Sequence, residues 1–488
     1  MSVDALALAR AHAPLLVLIA PLVGAAAALA LPWARLSWLI AVAATTAAAL
    51  TAFDLAVGTL LEGRPLVHAV EGIALRADGY SLFVVALLGV CGALIAIATG
   101  ASLGEARARA TPFAMALMLC AVAGWSGALL ARDLVGVAVS VEGAWLASVG
   151  LLALTAARER AGLNGSLRML VAGGAGGALF LFGAALLHRS VGSLELTALA
   201  RAQIESPSLA AVGAALTVLG LALKAGIAPL HEWIGAAYGR ASGPATLVLG
   251  VLGAVGALAV LTRFAAHAML APAIAETLAL ALAVLGGASV VIGSMQAIGA
   301  RNLRRLAAYA GVAQAGGVLI CVALGSPAGF AAALVQLTAF AAAALALFGG
   351  AVTGGVRAME TLDGMGRRAP LAGAAMTAGA ISLMGAPLTI GFLGRWRLVE
   401  AGVGAGWWWA AGAVIFASLA GVFYGGRLIE RLYFRRAAEA YGGVTGIWSI
   451  ALAPALLAAI VIIALGLAPA VLLNAANVAA ALFVGGGA

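Results

Sequence analysis

The sequence predicts an all-α polytopic membrane protein with about fourteen transmembrane helices. Three observations indicate this fold class. The composition is 64% hydrophobic and only 9% charged, long apolar segments recur along the whole chain, and the arginines concentrate at alternate connections between those segments. Soluble domains carry roughly 25% charged residues, so the composition excludes a soluble globular protein.

The transmembrane helices are predicted from length and apolarity, since a span needs roughly 20 apolar residues. The predicted spans are 14–32, 36–61, 79–101, 110–131, 134–157, 164–188, 208–230, 243–266, 272–298, 303–324, 327–354, 370–396, 406–430 and 447–474. The first is interpreted as a span and not as a cleavable signal peptide, because many similar segments follow it.

Arginine placement predicts the orientation of the chain. Arginines such as Arg301, Arg304 and Arg305 follow odd-numbered spans, and fewer arginines border the even-numbered connections. By the positive-inside rule, the protein is expected in the inner (cytoplasmic) membrane, with both termini outside the cytoplasm. The net charge of +9 is therefore interpreted as a topology signal, and no nucleic-acid partner is expected because no basic run is long enough.

The cysteines give no sign of a metal or redox centre. Cys91, Cys120 and Cys321 stand singly within apolar segments, without the close spacing that zinc or iron–sulfur sites need. The sequence also lacks a phosphate-binding loop and a dinucleotide fingerprint. We therefore expect no metal and no cofactor.

Two predicted spans are interrupted by glycine and proline. Pro229 interrupts the seventh in Lys224-Ala-Gly-Ile-Ala-Pro229, and Pro387 interrupts the twelfth in Met384-Gly-Ala-Pro387. A helix break inside a bilayer is tolerated where it is buried or lines a wet cavity, and paired breaks are typical of transporters built from repeats. Ordinary proline kinks are the alternative interpretation.

The spacing of the breaks predicts four regions. Three amino-terminal helices occupy 1–109, a first five-helix repeat 110–268, a second repeat 269–436, and a last helix with its tail 437–488. Each repeat would contain one broken helix.

Lys224 is the only lysine in the chain, and every other basic side chain apart from histidine is arginine. Arginine keeps its proton in proteins, whereas a buried lysine can release one. An ionisable group within the membrane indicates function by default, so Lys224 is predicted to carry protons. A lysine that reaches to the interface or pairs structurally is the alternative.

Glu142, near the middle of the fifth span, is the predicted partner of Lys224, because each charge would lower the cost of burying the other. Other polar side chains in or near spans form a possible auxiliary path: His231, Glu232, Tyr309, Gln314 and Gln336. His231 and Glu232 follow the first break and could supply it with protons.

Lys224-Ala-Gly-Ile-Ala-Pro-Leu-His-Glu-Trp resembles the broken-helix motif of the antiporter-like subunits of respiratory complex I (NADH:quinone oxidoreductase) and of Mrp-type Na⁺/H⁺ antiporters. The Glu142 segment, the 296–316 stretch and the Met384-Gly-Ala-Pro387 stretch agree in the same order. The resemblance implies two inverted five-helix repeats and partner subunits in a membrane complex. It also implies a proton relay in which Glu142 and Lys224 match the first positions and Arg395 the last.

The chain departs from the family pattern in its second half. Where the family usually has lysine or histidine in the eighth and eleventh spans, this chain offers Ala254, and Gln336 with Ala344. Arg395 replaces a lysine or glutamate, and arginine does not readily relay a proton.

Three functions remain open. The first is a proton-translocating subunit that is coupled to the redox chemistry of its partners or to exchange against Na⁺. The second is a non-conducting structural subunit of such a complex, and the third is an independent secondary transporter. No redox site of its own is expected, and the partners are other membrane subunits, protons and lipid.

Overall fold

A computed structural model describes residues 3–31, 33–62, 66–70, 73–100, 110–156, 160–201, 204, 206–241, 243–353, 356, 359–436 and 450–487. The helices are α1 Val3–Ala30, α2 Ala34–Glu62, α3 Gly79–Gly100, α4 Thr111–Leu130, α5 Leu134–Ala156, α6 Arg160–Val191, α7 Ala198–Arg201, α8 Pro207–Ala225, α9 Glu232–Arg240, α10 Pro244–Leu247, α11 Ala254–Met269, α12 Pro272–Gly299, α13 Leu303–Ala323, α14 Pro327–Thr353, α15 Met365–Arg368, α16 Pro370–Met384, α17 Ile390–Gly404, α18 Trp408–Tyr433, α19 Ala453–Leu467 and α20 Ala470–Gly487. Short 3₁₀ turns lie at Met359–Leu362 and Ile450–Leu452, and the π-helical segment Val248–Gly253 joins α10 to α11.

The polytopic all-α fold is confirmed. Within the described residues, thirteen helices are long and apolar enough to cross a membrane, and the twelfth predicted span is divided at its break into α16 and α17. The last predicted span, 447–474, was too coarse, because α19 ends at Leu467 and a separate helix, α20, follows. Ala468 and Pro469 separate two apolar helices that the sequence pattern merged into one.

A β-hairpin was also missed by the sequence pattern. Strand β1, Leu66–Val70, pairs antiparallel with β2, Ile73–Ala77, between α2 and α3. The hairpin continues into the connection between α4 and α5, where the Arg132 N–H donates to the Ala74 carbonyl at 3.1 Å.

The centre of the protein is formed by α13 and α14, which are buried along almost their whole length. On one side α14 packs against α16, α17, α19 and α20, and on the other α6 packs against α8 and α5. Lipid gives no hydrophobic driving force between helices, so close packing depends on small residues. At Gly220, for example, an added Cβ would lie 2.4 Å from the Gly176 carbonyl, so α8 and α6 touch backbone to backbone.

Candidate functional site

Lys224 and Glu142 lie together in the structure. The Lys224 Nζ is 2.9 Å from Glu142 Oε1, and the lysine side chain is 2% exposed. The ammonium also lies over the Trp145 ring, 4.9 Å from its centroid. The short separation makes this an ion pair.

Glycines of α6 make room for this pair. A Cβ added at Gly177 would lie 2.3 Å from Glu142 Oε1, and one added at Gly173 would lie 1.8 Å from Trp145 Nε1. The Trp145 indole N–H of α5 donates to the Met169 carbonyl of α6 at 3.1 Å. The glycines therefore set where the carboxylate and the indole can lie, a role that the sequence analysis missed although the Gly-Gly-Ala-Gly-Gly run was visible.

The break after Lys224 is a Schellman motif. Gly226 adopts a left-handed φ of 68° and donates its N–H to the Leu223 carbonyl, while the Ile227 N–H donates to the Ala222 carbonyl at 2.9 Å. The last turn of α8 thus keeps its carbonyls satisfied inside the membrane. Lys224 occupies this last turn, where a cation interacts favourably with the carbonyl end of the helix.

The loop that follows is also fixed by side chains. The Ala228 N–H donates to Ser289 Oγ at 3.0 Å, and the Trp233 indole N–H donates back to the Leu223 carbonyl at 2.9 Å. Trp233 meets Trp145 edge to face, with the ring centroids 5.0 Å apart. Two tryptophans therefore hold α9 and α5 around the lysine, and both were absent from the predicted site.

The second break has the same hydrogen-bond pattern. Gly385 has a φ of 74° and donates to the Ser382 carbonyl at 3.0 Å, and the Ala386 N–H donates to the Ile381 carbonyl at 3.0 Å. Thr389 then begins α17, its hydroxyl accepting the Phe392 N–H at 3.3 Å. The paired geometry fits the predicted repeats, whose existence and inversion stay predictions.

Arg395 closes the second break and contacts no carboxylate among the described residues. One guanidinium nitrogen donates to the Met384 carbonyl at 2.7 Å and to Ser418 Oγ at 2.5 Å, and the other donates to the Leu383 carbonyl at 2.5 Å. Tyr424 donates to that same Leu383 carbonyl at 3.3 Å. The side chain thus acts as a cap for the end of α16.

Two cavities lie on opposite sides of α13. The lining of the first includes Lys224, Trp125, Ala254, Gly311 and Phe340. Its interior has room for about two water molecules. Lys224 therefore borders a space in which water could accept its proton.

The second cavity is lined by Gln314, Gln336 and Arg395 among other residues. Gln336 donates to Gln314 Oε1, and Gln314 donates to the Leu383 carbonyl at 3.1 Å. Ala344 is buried and borders neither cavity. Polar groups thus reach the second break, but Arg395 is the only charged side chain that the described residues contribute to the lining of this cavity.

Three of the remaining predicted residues, His231, Glu232 and Tyr309, lie on the α9 side of the first break. His231 Nε2 is 2.6 Å from Gln296 Oε1 on α12, and its Nδ1 has no partner among the described residues. Tyr309 meets the His231 ring edge to face at 6.3 Å, while Glu232 is exposed. Pro229 lies in the first break and Pro387 in the second.

Comparison with known proteins identifies the family to which the chain belongs. The family model described as NADH:quinone oxidoreductase/Mrp antiporter, transmembrane region, matches residues 131–421. The NADH-quinone oxidoreductase subunit N of Desulforudis audaxviator is 29% identical over 446 residues, covering 87% of each chain. Subunit N 1 of Solidesulfovibrio magneticus is 31% identical over 357 residues, covering 72% of this chain and 75% of that protein.

Solved structures share the fold over nearly the whole chain. A chain of the Mrp complex from Dietzia sp. matches with a TM-score of 0.84 and 25% identity, covering 97% of each chain. A chain of respiratory complex I from Thermus thermophilus matches with a TM-score of 0.75 and 25% identity, covering 94% of this chain and 98% of that one. Both are chains of multi-subunit membrane complexes. The resemblance noted in the sequence is confirmed: the chain belongs to the NADH:quinone oxidoreductase/Mrp antiporter family of multi-pass membrane proteins.

Proposed function

We propose that this chain is a proton-translocating subunit of a complex I-like or Mrp-like membrane assembly, with Lys224 as the group that takes up and releases the proton. One observation carries the proposal: the only lysine of the chain is buried beside a broken helix, 2.9 Å from Glu142, at the edge of a cavity. Burying the lysine is costly, and ionisable groups within membrane helices mark ion and proton pathways.

Glu142 sets the proton affinity of Lys224 in this proposal. When the carboxylate lies against the ammonium, it favours the charged lysine, and when the two separate, the lysine gives its proton to water in the cavity. Because Glu142 is 37% exposed, its position can respond to a neighbouring subunit. The same face of α5 exposes Val139 and Leu146, which suits a transmembrane helix of a partner.

Protons would reach Lys224 from the side of α9. The His231 Nε2–H donates to Gln296, which leaves Nδ1 as an acceptor with no partner in the described part of the chain. Exposed Glu232 and partly buried Tyr309 lie close by. With the Arg301 and Arg305 side of the membrane in the cytoplasm, as the positive-inside rule suggests, this inlet opens to the cytoplasm and both termini lie outside.

The experiment is Lys224→Arg in the assembled complex, reconstituted in vesicles. Arginine keeps the charge beside Glu142 and cannot exchange the proton, so assembly should persist while proton flux driven by an imposed membrane potential is lost. Arg397→Lys is the matched control, because Arg397 forms an exposed ion pair with Glu400 on α17. Normal flux in Lys224→Arg would refute the relay.

The alternatives give different results in the same assay. A structural subunit would show no flux above that of vesicles lacking the chain, and neither Lys224→Arg nor Glu142→Gln would change it. An independent transporter would conduct when purified without partners. Flux that requires Na⁺ on the opposite side would assign cation exchange in place of simple proton translocation.

A further inference from the structure

The second half of the protein offers no obvious exit for a proton carried by Lys224. Aligned on their left-handed glycines, Gly226 and Gly385, the two breaks place Leu383 where the first has Lys224. The second cavity has Arg395 as its only charged lining residue, and arginine keeps its proton. A proton-translocating subunit of this sequence therefore needs a release group elsewhere.

The first cavity reaches the interface of α4 and α11. Trp125 of α4 lines the cavity and packs on Gly256 of α11, where a Cβ would lie 2.7 Å from the indole ring. The Trp125 indole N–H is buried and has no partner in the described part of the chain. A buried donor of this kind is normally satisfied by water.

Three residues further along α4, the Ala128 carbonyl accepts from Arg263 of α11 at 3.4 Å, and the Ala131 carbonyl accepts from the same nitrogen at 2.9 Å. Three residues of α-helix rise about 4.5 Å, so the guanidinium lies within one or two helical turns of Trp125, which lines the cavity. The Arg263 Nε–H is buried and has no partner among the described residues either. Two unsatisfied donors thus follow one another along the α4–α11 interface.

Arg263 belongs to a buried cluster of ionisable groups that the path through Lys224 does not use. Its Nη2 is 3.4 Å from Asp78 Oδ2, and its backbone carbonyl is 2.9 Å from His267 Nδ1. The Ser81 N–H donates to Asp78 Oδ1 at 2.7 Å. Asp78, Arg263 and His267 are all at most 3% exposed.

The bonds of His267 define where it can hold a proton. A carbonyl oxygen only accepts, so Nδ1 carries the hydrogen and Nε2 keeps its lone pair when the ring is neutral. The charged groups around the imidazole are Arg263 and Arg76, which disfavour its protonated form, and Asp78, which favours it. The Phe483 ring of α20 covers it edge to face at 4.5 Å.

We propose that His267, with Asp78 as its counter-charge, is the proton-release group of the cavity that Lys224 borders. The Lys224 ammonium gives its proton to water in the cavity, water transfers it to His267 Nε2, and the imidazolium releases that same proton at the membrane face where α11 ends and α3 begins. Neutral Lys224 is then reprotonated from the His231 side. The cluster and Arg301 lie at opposite ends of α12, so the proton crosses the membrane.

This inference rests on the proposed proton translocation, and one experiment separates the two. Proton flux under an imposed potential is measured across pH in vesicles that contain the assembled complex with His267→Gln. Glutamine can still donate to the Arg263 carbonyl, so the fold is retained. Flux should fall at least about tenfold and its pH dependence should flatten, since a positioned acid–base group contributes roughly 10²–10⁴-fold to proton transfer.

Thr262→Val is the matched control, because Thr262 precedes Arg263 and hydrogen-bonds Tyr80 at 2.5 Å without contacting the imidazole in this scheme. Thr262→Val should keep the shape of the pH profile, because a purely structural change lowers the flux by the same factor at every pH. If His267→Gln does not assemble, Asp78→Asn serves instead, and it too should reduce flux about tenfold by removing the counter-charge.

If His267→Gln keeps the wild-type flux and pH profile, His267 is not the release group, and the role of Lys224 is unaffected. The same result in Asp78→Asn, where that variant is used, leads to the same conclusion. Loss of flux in Arg395→Gln at equal assembly, beside normal flux in His267→Gln, also overturns His267 as the release group and shows that conduction depends on the second half. Normal flux in Lys224→Arg instead refutes the proposed translocation itself.

Discussion

Replacing Gly177 with alanine should move the Glu142 carboxylate while every titratable residue stays in the sequence. The new Cβ would lie 2.3 Å from Glu142 Oε1, the oxygen that is 2.9 Å from Lys224 Nζ. An ordinary contact needs about 3.5 Å, so the oxygen must retreat by more than about 1 Å. Because that oxygen ends a flexible and partly exposed side chain, the helix packing should survive.

The magnitude follows from the change in separation. If the ion pair lengthens from 2.9 Å to about 4 Å, its attraction weakens by about 1.5 kcal/mol at an effective dielectric constant of about 20. Loading a proton onto Lys224 then becomes about tenfold less favourable. Proton flux that is limited by this loading should fall by about the same factor.

The assay is potential-driven proton flux in vesicles, with assembly measured in parallel. Gly174→Ala is the control on the same helix, since nothing lies within 4 Å of the Cβ it would add. We expect Gly174→Ala to conduct normally and Gly177→Ala to conduct about tenfold less at equal assembly. Equal flux in the two variants would show that the Glu142–Lys224 separation does not control conduction.

Two further substitutions test the second break. Arg395→Gln removes the charged donor from the Leu383 and Met384 carbonyls, and it should lower the free energy of unfolding by about 2–3 kcal/mol, measured by thermal unfolding in detergent. An unchanged melting temperature would contradict the role of Arg395 as a helix cap. Thr389→Ala removes the acceptor for the first turn of α17 and should cost about 1 kcal/mol in the same measurement, with Thr389→Ser restoring it.

The fold and the Lys224–Glu142 pair could be predicted because their physical causes are local in sequence. The length of a span follows from the thickness of the bilayer, and a single lysine among arginines is recognisable from the composition alone. The α19–α20 boundary could not be found in this way, because both helices are apolar and only Ala468 and Pro469 separate them. Hydropathy alone does not divide such a segment.

Other parts of the site depend on which helices meet, which a single sequence does not specify. Gly177 makes room for Glu142 only because α6 packs on α5, and Trp233 reaches Trp145 only because the break turns α9 back toward α5. Asp78 and Arg263 are 185 residues apart and come together through the packing of α3 and α11. In the sequence, Asp78 and Arg263 are visible only as charged residues at the ends of two apolar spans, and nothing there indicates that they meet.

The two breaks separate what the fold needs from what proton transfer needs. Both end a helix in a left-handed glycine, and both satisfy the last carbonyls with indole, amide or guanidinium donors. Only the first places a group that can release a proton beside a carboxylate and a cavity; the second places Leu383 there and uses Arg395 as a fixed donor. A helix break inside the membrane therefore does not by itself make a proton path. In the proposed mechanism the chemistry depends on Lys224, and its proton leaves along α11 and not through α17.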